Sequence, residues 1–158
     1  MFQRSAHHVD SYYAHSCADL LVPRAPLQGE QRTEVLVIGA GFSGLHTALR
    51  LALAGKKVTV VEASRVAWAA SGRNGGQAIL GWSCDMPPLE AALGLERARR
   101  LWDSMRWAAH ELRELPERHN FDCDYRAGHL WTSVLPRRNA ILHEWQHEDS
   151  HKWGHDQL

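Results

Sequence analysis

The apolar residues of this chain fall into runs of changing period. EVLVIGAG (34–41) is a continuous apolar run that ends in glycine, the pattern of a strand buried on both faces, as in a parallel sheet. Ser43 to Ala54 then has helical spacing, with Leu45, Ala48, Leu49, Ala52 and Leu53 on one side and Gly55 as the stop. KVTVVE (57–62) reads as a second strand. These segments predict a βαβ unit over 34–62 with a right-handed crossover, and so an α/β fold.

Before this unit, residues 1–33 carry Pro23, Pro26 and Gly29 and read as an extended arm. After it come a glycine-rich loop at 69–77, a turn at Met86-Pro87-Pro88 and a short helix over 89–93 ended by Gly94. Glu96 to Leu115 has the strongest helical pattern. Ala98, Leu101, Trp102, Met105, Ala108, Ala109, Leu112 and Leu115 form one dry stripe, while Arg97, Arg99, Arg100, Arg106, Glu111, Arg113 and Glu114 lie off it. Pro116 is expected to end or kink this helix. Residues 123–134 read as two short strands around Ala127-Gly128, a β-hairpin, and Arg137–Trp153 as a last helix entered through Pro136. The region 87–153 is thus helical with one hairpin.

Composition narrows the function classes. At 158 residues with 44% hydrophobic content, one ordinary domain is expected, here 34–158 behind the arm. Lys+Arg and Asp+Glu both number 18, so no net field recruits nucleic acid or an anionic membrane. No stretch is apolar enough for a membrane span or a secretory signal, and a cytoplasmic location is expected. Cys17, Cys84 and Cys123 are far apart and form neither a disulfide framework nor a zinc knuckle.

The candidate chemistry sits in the turn after the first strand. GAGFSG (39–44) supplies bare backbone where a strand turns into a helix, and a pyrophosphate needs N–H donors, close approach and a positive helix end. Gly39 allows the tight turn, Gly41 the approach of phosphate, and Gly44 the packing of helix on sheet, with Phe42 and Ser43 completing the turn. Glu62 follows at the spacing of about 20 residues expected for the acid that takes the adenosine ribose hydroxyls, and its charge disfavours a 2′-phosphate. NAD enzymes and flavoproteins share this fingerprint. The second loop, SGRNGG (71–76), separates them by offering further donors along a long flavin dinucleotide, with Ser71 and Asn74 as hydrogen-bonding groups and Arg73 as a cation.

Together SYYAHS (11–16), VLVIGAGFSGLHTAL, VTVVEA and above all ASGRNGGQ (70–77) resemble the N-terminal part of FAD-dependent oxidoreductases of the D-amino-acid oxidase superfamily. The resemblance runs from about residue 11 to the end. It implies that Gly39, Gly41, Gly44, Glu62, Ser71, Arg73, Asn74, Gly75, Gly76 and Gln77 line FAD, on a Rossmann-type unit that is an incomplete version of the family fold. It also implies oxidation of a C–N bond of a small amine, with dioxygen reoxidising the flavin to give hydrogen peroxide. Family members are more than twice this long, so the substrate-binding half is expected to be missing, no catalytic residue can be named, and exposed sheet edges invite self-association. The alternatives are a non-catalytic nucleotide-binding remnant and an NAD-dependent dehydrogenase.

Two other features are read as ordinary. His143, His147, His151 and His155 recur every four residues and could share a metal on a helix, but no carboxylate or cysteine completes a familiar signature, so the stripe is taken as a solvated face and no metal is expected. Of the tryptophans, Trp68 and Trp82 flank the second motif and could touch a flavin, Trp107 lies off the dry stripe, and packing is the default for all seven.

Overall fold

The computed structural model describes residues 7–154, which form two compact units, one ending at Gly76 and the other starting at Gln77. In the first, a short helix α1 (Tyr12–Ser16) interrupts the arm that the sequence predicts as extended; Ser11 caps it, its Oγ accepting from Ala14 N–H (3.3 Å). Strand β1 (Val35–Ile38), helix α2 (Phe42–Leu53) and strand β2 (Val58–Val61) follow as expected. The strands pair in parallel, Val35 opposite Val58 and Ile38 opposite Val61. Glu34 holds the open end of this pair: its carboxylate takes the Lys56 ammonium (2.6 Å) and the Lys57 N–H (3.2 Å), and both contacts hold its pKa below the usual carboxylate value.

β1 is not buried on both faces. Val35 and Val37 are half-buried, but Leu36 is 54% and Ile38 82% exposed. A two-stranded sheet with a single crossover helix has one face and two edges left to cover. On the other side α2 approaches so closely that a Cβ added at Gly44 would lie 2.0 Å from the Gly39 carbonyl oxygen and 3.4 Å from Val37 Cγ1.

The second unit is helical. α3 (Met86–Leu93) starts three residues earlier than the pattern suggests, because Pro87 and Pro88 sit in its first turn, where a helix needs no N–H donor. Gly94, at φ +79°, separates it from α4 (Leu95–His119). Pro116 does not end α4 but lies inside it, three residues before its last residue, His119. One lost ladder bond there is tolerated because Arg118, two residues beyond, reaches back to Glu111 with both terminal guanidinium nitrogens (3.1 and 3.4 Å). Helix α4 stops at Asn120 in the left-handed conformation, and Phe121 N–H closes on the Pro116 carbonyl (3.0 Å). Glu111, read from the sequence as solvent-facing, is therefore buried and paired.

Helix α5 (Asn139–Trp153) follows a 3-10 turn, Pro136–Arg138. Its end is capped by side chains of α4: Arg99 donates to the Lys152 carbonyl (2.7 Å), Trp102 to that of Trp153 (2.9 Å) and Arg106 to that of Gly154 (3.2 Å). These donors recur at three- and four-residue steps and so share one face, and the two cations suit the negative end of α5. Lys152 also pairs with Glu90 of α3. Trp153 packs beneath this cap against Trp102 (ring centroids 5.5 Å apart), in a core with Ala98 and Met105. Farther along the predicted dry stripe Ala108 and Leu112 remain exposed, as does Trp107. The two strands predicted within 123–134 are absent: residues 121–130 are irregular and exposed, and Trp131 packs edge-on against Trp145 of α5 (5.9 Å), as expected where a lone hairpin finds no sheet to join.

Two substitutions test these contacts. Gly44→Ala must push α2 off β1, and a loss of about 1–3 kcal/mol is expected in urea unfolding. Trp153→Ala should cost about 3–5 kcal/mol and detach the end of α5, seen as lost protection of its last amides in hydrogen exchange.

Candidate nucleotide-binding site

The strand–helix turn is assembled from three segments of the first unit. Gly39, at φ +103°, redirects the chain as it leaves β1 while its N–H still bonds the Val61 carbonyl (2.7 Å). Ala40, only 2% exposed, is then fixed from both sides: its N–H donates to Glu62 Oε2 (2.8 Å) and its carbonyl accepts from Ala67 N–H (2.8 Å). Gly41 is the N-cap residue of α2, and the first bond of the helix runs from Leu45 N–H to the Gly41 carbonyl (2.9 Å). The Phe42, Ser43 and Gly44 amides thus precede the intrahelical ladder, at the positive end of the helix.

Glu62 stands just past β2 with both carboxylate oxygens engaged, Oε2 by Ala40 and Oε1 by Ser64 N–H (2.9 Å). Those amide bonds, Ala40 first, lower its pKa, so the carboxylate is firmly ionised at neutral pH. Each oxygen has two lone pairs, leaving capacity to accept hydroxyl donors as well.

The second motif folds against the first. Ser71 Oγ accepts from Phe42 N–H (3.0 Å), and a Cβ added at Gly41 would lie 3.0 Å from that oxygen. Asn74 is tied into its own loop, Nδ2 donating to the Ala70 and Ser71 carbonyls (3.1 and 2.9 Å) and Oδ1 accepting from Gly76 N–H (2.9 Å). Arg73 donates from Nε to the Trp68 carbonyl (2.9 Å) and lays its guanidinium over the Trp68 ring, 4.4 Å from the centroid. Trp68 Nε1 in turn bonds the His7 carbonyl (2.9 Å). Gly75 is exposed, and Gln77 opens the second unit. Of the residues singled out by sequence, the structure therefore joins Gly39, Gly41, Phe42, Gly44, Glu62 and Ser71 in one constellation, with Ser43 exposed on the first turn of α2 and Arg73 and Asn74 bracing the loop beside it.

Three contributors were missed by the sequence reading. Ala40 is the hub, Ala67 holds φ +56° to reach it, and Gly72 has no room for a side chain, a Cβ there falling 2.2 Å from the Ala67 carbonyl oxygen. Only Gly72 left a signal, as one more glycine in the motif. Elsewhere, Trp82 belongs to the second unit and is half exposed. His147 and His151 stack at 4.1 Å, and His151 Nδ1 lies 3.0 Å from the His147 carbonyl. No group of three or more potential metal ligands occurs among the described residues, and His155 lies outside them. Among the described residues no helix is long and apolar enough to cross a membrane.

A turn of this kind presents amides and a positive helix end to an anion, with a fixed carboxylate one strand away; these are the donors and the acceptor that a dinucleotide's pyrophosphate and ribose require. Comparison with known proteins agrees. A family model described as FAD dependent oxidoreductase matches residues 34–157. The chain is 40% identical over 151 residues to gamma-glutamylputrescine oxidoreductase of Escherichia coli, covering 96% of this chain and 35% of that protein. A probable oxidoreductase OrdL of Haemophilus influenzae is 37% identical over 152 residues, again 96% of this chain and 35% of the relative. Among solved structures, L-amino acid deaminase from Proteus vulgaris superposes with a TM-score of 0.59 at 28% identity, over 86% of this chain and 29% of its own. The chain spans about a third of the length of the curated relatives it matches. With the βαβ turn, the placed acid and the family match in agreement, the chain belongs to the FAD dependent oxidoreductase family, whose cofactor is FAD.

Proposed function

We propose that this chain carries the dinucleotide-holding part of an amine-oxidising flavoenzyme of the gamma-glutamylputrescine oxidoreductase type. The observation that carries the reading is the pairing of the glycine turn at Gly39–Gly44 with an ionised Glu62 bonded to Ala40 N–H. The amides of Ser43 and Gly44 hold the pyrophosphate, with Phe42 N–H bonded to the Ser71 hydroxyl beside them, Glu62 takes the adenosine ribose hydroxyls, and Ser71, Arg73, Gly75 and Gly76, on the loop that Asn74 braces, form the wall along the next stretch of the cofactor. Bound FAD supplies the capacity to accept a hydride from the carbon beside the amine and pass the electrons to dioxygen, giving hydrogen peroxide. This chain's residues bind and orient that group. The substrate is a small amine, and gamma-glutamylputrescine is the first candidate because a relative at 40% identity is named for it. A cytoplasmic location and self-association through the bare side of β1, where Leu36 and Ile38 are exposed, belong to the same reading.

Direct titration tests this. The chain should take FAD in preference to NAD, followed by quenching of flavin fluorescence, and a preference for NAD would overturn the assignment. Gly41→Val should abolish FAD binding, because the Cβ position already lies against Ser71 Oγ. Glu62→Gln should weaken FAD by about tenfold, the loss expected for a charged hydrogen bond. The pH dependence has a definite sign. Because its amide partners lower the pKa of Glu62 in the fold, its contribution to stability and binding is fully present above the unfolded carboxylate value of about 4.3 and is lost only as pH falls through the lowered folded value. FAD affinity of the wild-type chain should therefore stay flat from pH 8 to about 5. A decline beginning near pH 6 would show that Glu62 is not the group in control. Peroxide release from gamma-glutamylputrescine, measured on the chain supplied with FAD, tests the substrate; binding without turnover would instead favour a nucleotide-holding part that does no chemistry by itself.

A further inference from the structure

Helix α2 lacks a capping side chain of its own, since its N-cap residue is Gly41. The Ser71 hydroxyl, 29 positions away in sequence, does the capping by accepting from Phe42 N–H at 3.0 Å. A hydroxyl that accepts one hydrogen bond keeps its own proton to donate. At this helix end the natural recipient is an anionic oxygen. What sets Ser71 there is the loop, and Asn74 controls the loop: its amide donates to the Ser71 and Ala70 carbonyls and accepts from Gly76 N–H. The amide orientation follows from those partners, because the flipped form would set an oxygen against two carbonyls and an NH₂ against an N–H. On the other side Gly72 lies against the Ala67 carbonyl with no room for a Cβ.

We propose that Asn74 is a positioning residue that acts through Ser71: it folds the second loop so that the Ser71 hydroxyl caps α2 from outside and bridges Phe42 N–H to a phosphate oxygen of the bound dinucleotide. This rests on the reading of the turn as the pyrophosphate site. Asn74 itself has no donor left for a phosphate oxygen, as both Nδ2 protons are committed within the loop and Oδ1 can only accept. Its two effects, on the helix cap and on affinity, consequently have one origin.

The test reads the cap without FAD. In the isotopically labelled chain, amide exchange at Phe42 should become roughly tenfold faster in Ser71→Ala and in Asn74→Asp, which loses both donors, and return to the wild-type rate in Ser71→Thr. Exchange at Gly39, whose N–H bonds the Val61 carbonyl, serves as the reference for an intact strand pair. Should Asn74→Asp also speed Gly39, the Ser71→Ala and Ser71→Thr pair decides in its place. Unchanged Phe42 exchange in Asn74→Asp would overturn the proposal, since a residue that simply met the cofactor would behave that way. In FAD titrations the double variant should bind no more weakly than Ser71→Ala alone; losses that multiply would assign Asn74 a contact of its own and equally overturn it. If the wild-type chain took no FAD, the reading of the turn as a pyrophosphate site would fail, while Phe42 exchange would still decide whether Asn74 sets the cap.

Discussion

Helix α2 begins almost in contact with the strand it leaves, and the space that a methyl group at Gly44 would need is held by the Gly39 carbonyl oxygen. Everything around the turn follows from that close approach. It brings the first helical amides to the carboxyl end of β1 and puts Ala40 where the carboxylate just past the neighbouring strand can reach its N–H. Glu62 then joins the two strand ends at the point where the helix departs. The same bond keeps it ionised and aimed, so one contact serves both the fold and the chemistry.

The second loop is constructed differently. It has no strand or long helix to define it, only a three-residue 3-10 turn over Ala70–Gly72, and takes its shape from side chains bonded to nearby backbone. Asn74 closes three hydrogen bonds between Ala70 and Gly76, Arg73 lies on Trp68, and Ala67 accepts a left-handed conformation to bond Ala40. Such a loop is set before any ligand arrives, which lowers the entropy that binding must overcome. Its hydroxyl meets the helix end because Gly41 and Gly72 leave room on either side.

In the second unit α4 serves mainly as a frame. Three of its side chains, at steps of three and four residues, receive the final carbonyls of α5, and Trp153 fills the space beneath them. Burial fades along the helix, leaving Leu112 and Trp107 half exposed. The uncovered side of β1 poses the same question in the first unit. The chain spans about a third of the length of the curated relatives it matches.

The sequence by itself determined the βαβ unit, the α4 helix and the glycine turn between β1 and α2. In each case the information is local: period-3.6 spacing in α2 and α4, apolar runs in β1 and β2, and glycines that only a tight turn requires. Tertiary structure decided the rest, for reasons that no local pattern contains. Pro116 stays within α4 because Arg118 and Glu111 hold the turn on either side of it; Glu111 is buried for the same reason. The strands expected at 123–134 needed a strand partner, and the segment meets a helix instead, through Trp131 on Trp145. Ala67 at positive φ and Ala40 at the hub carry no mark in sequence, since an alanine looks alike whether it is solvated or fixed between a carboxylate and a backbone amide. The roles of Ser71 and Asn74 were visible as polarity but not as geometry, because a hydroxyl's partner 29 residues away is chosen by the fold that brings them together.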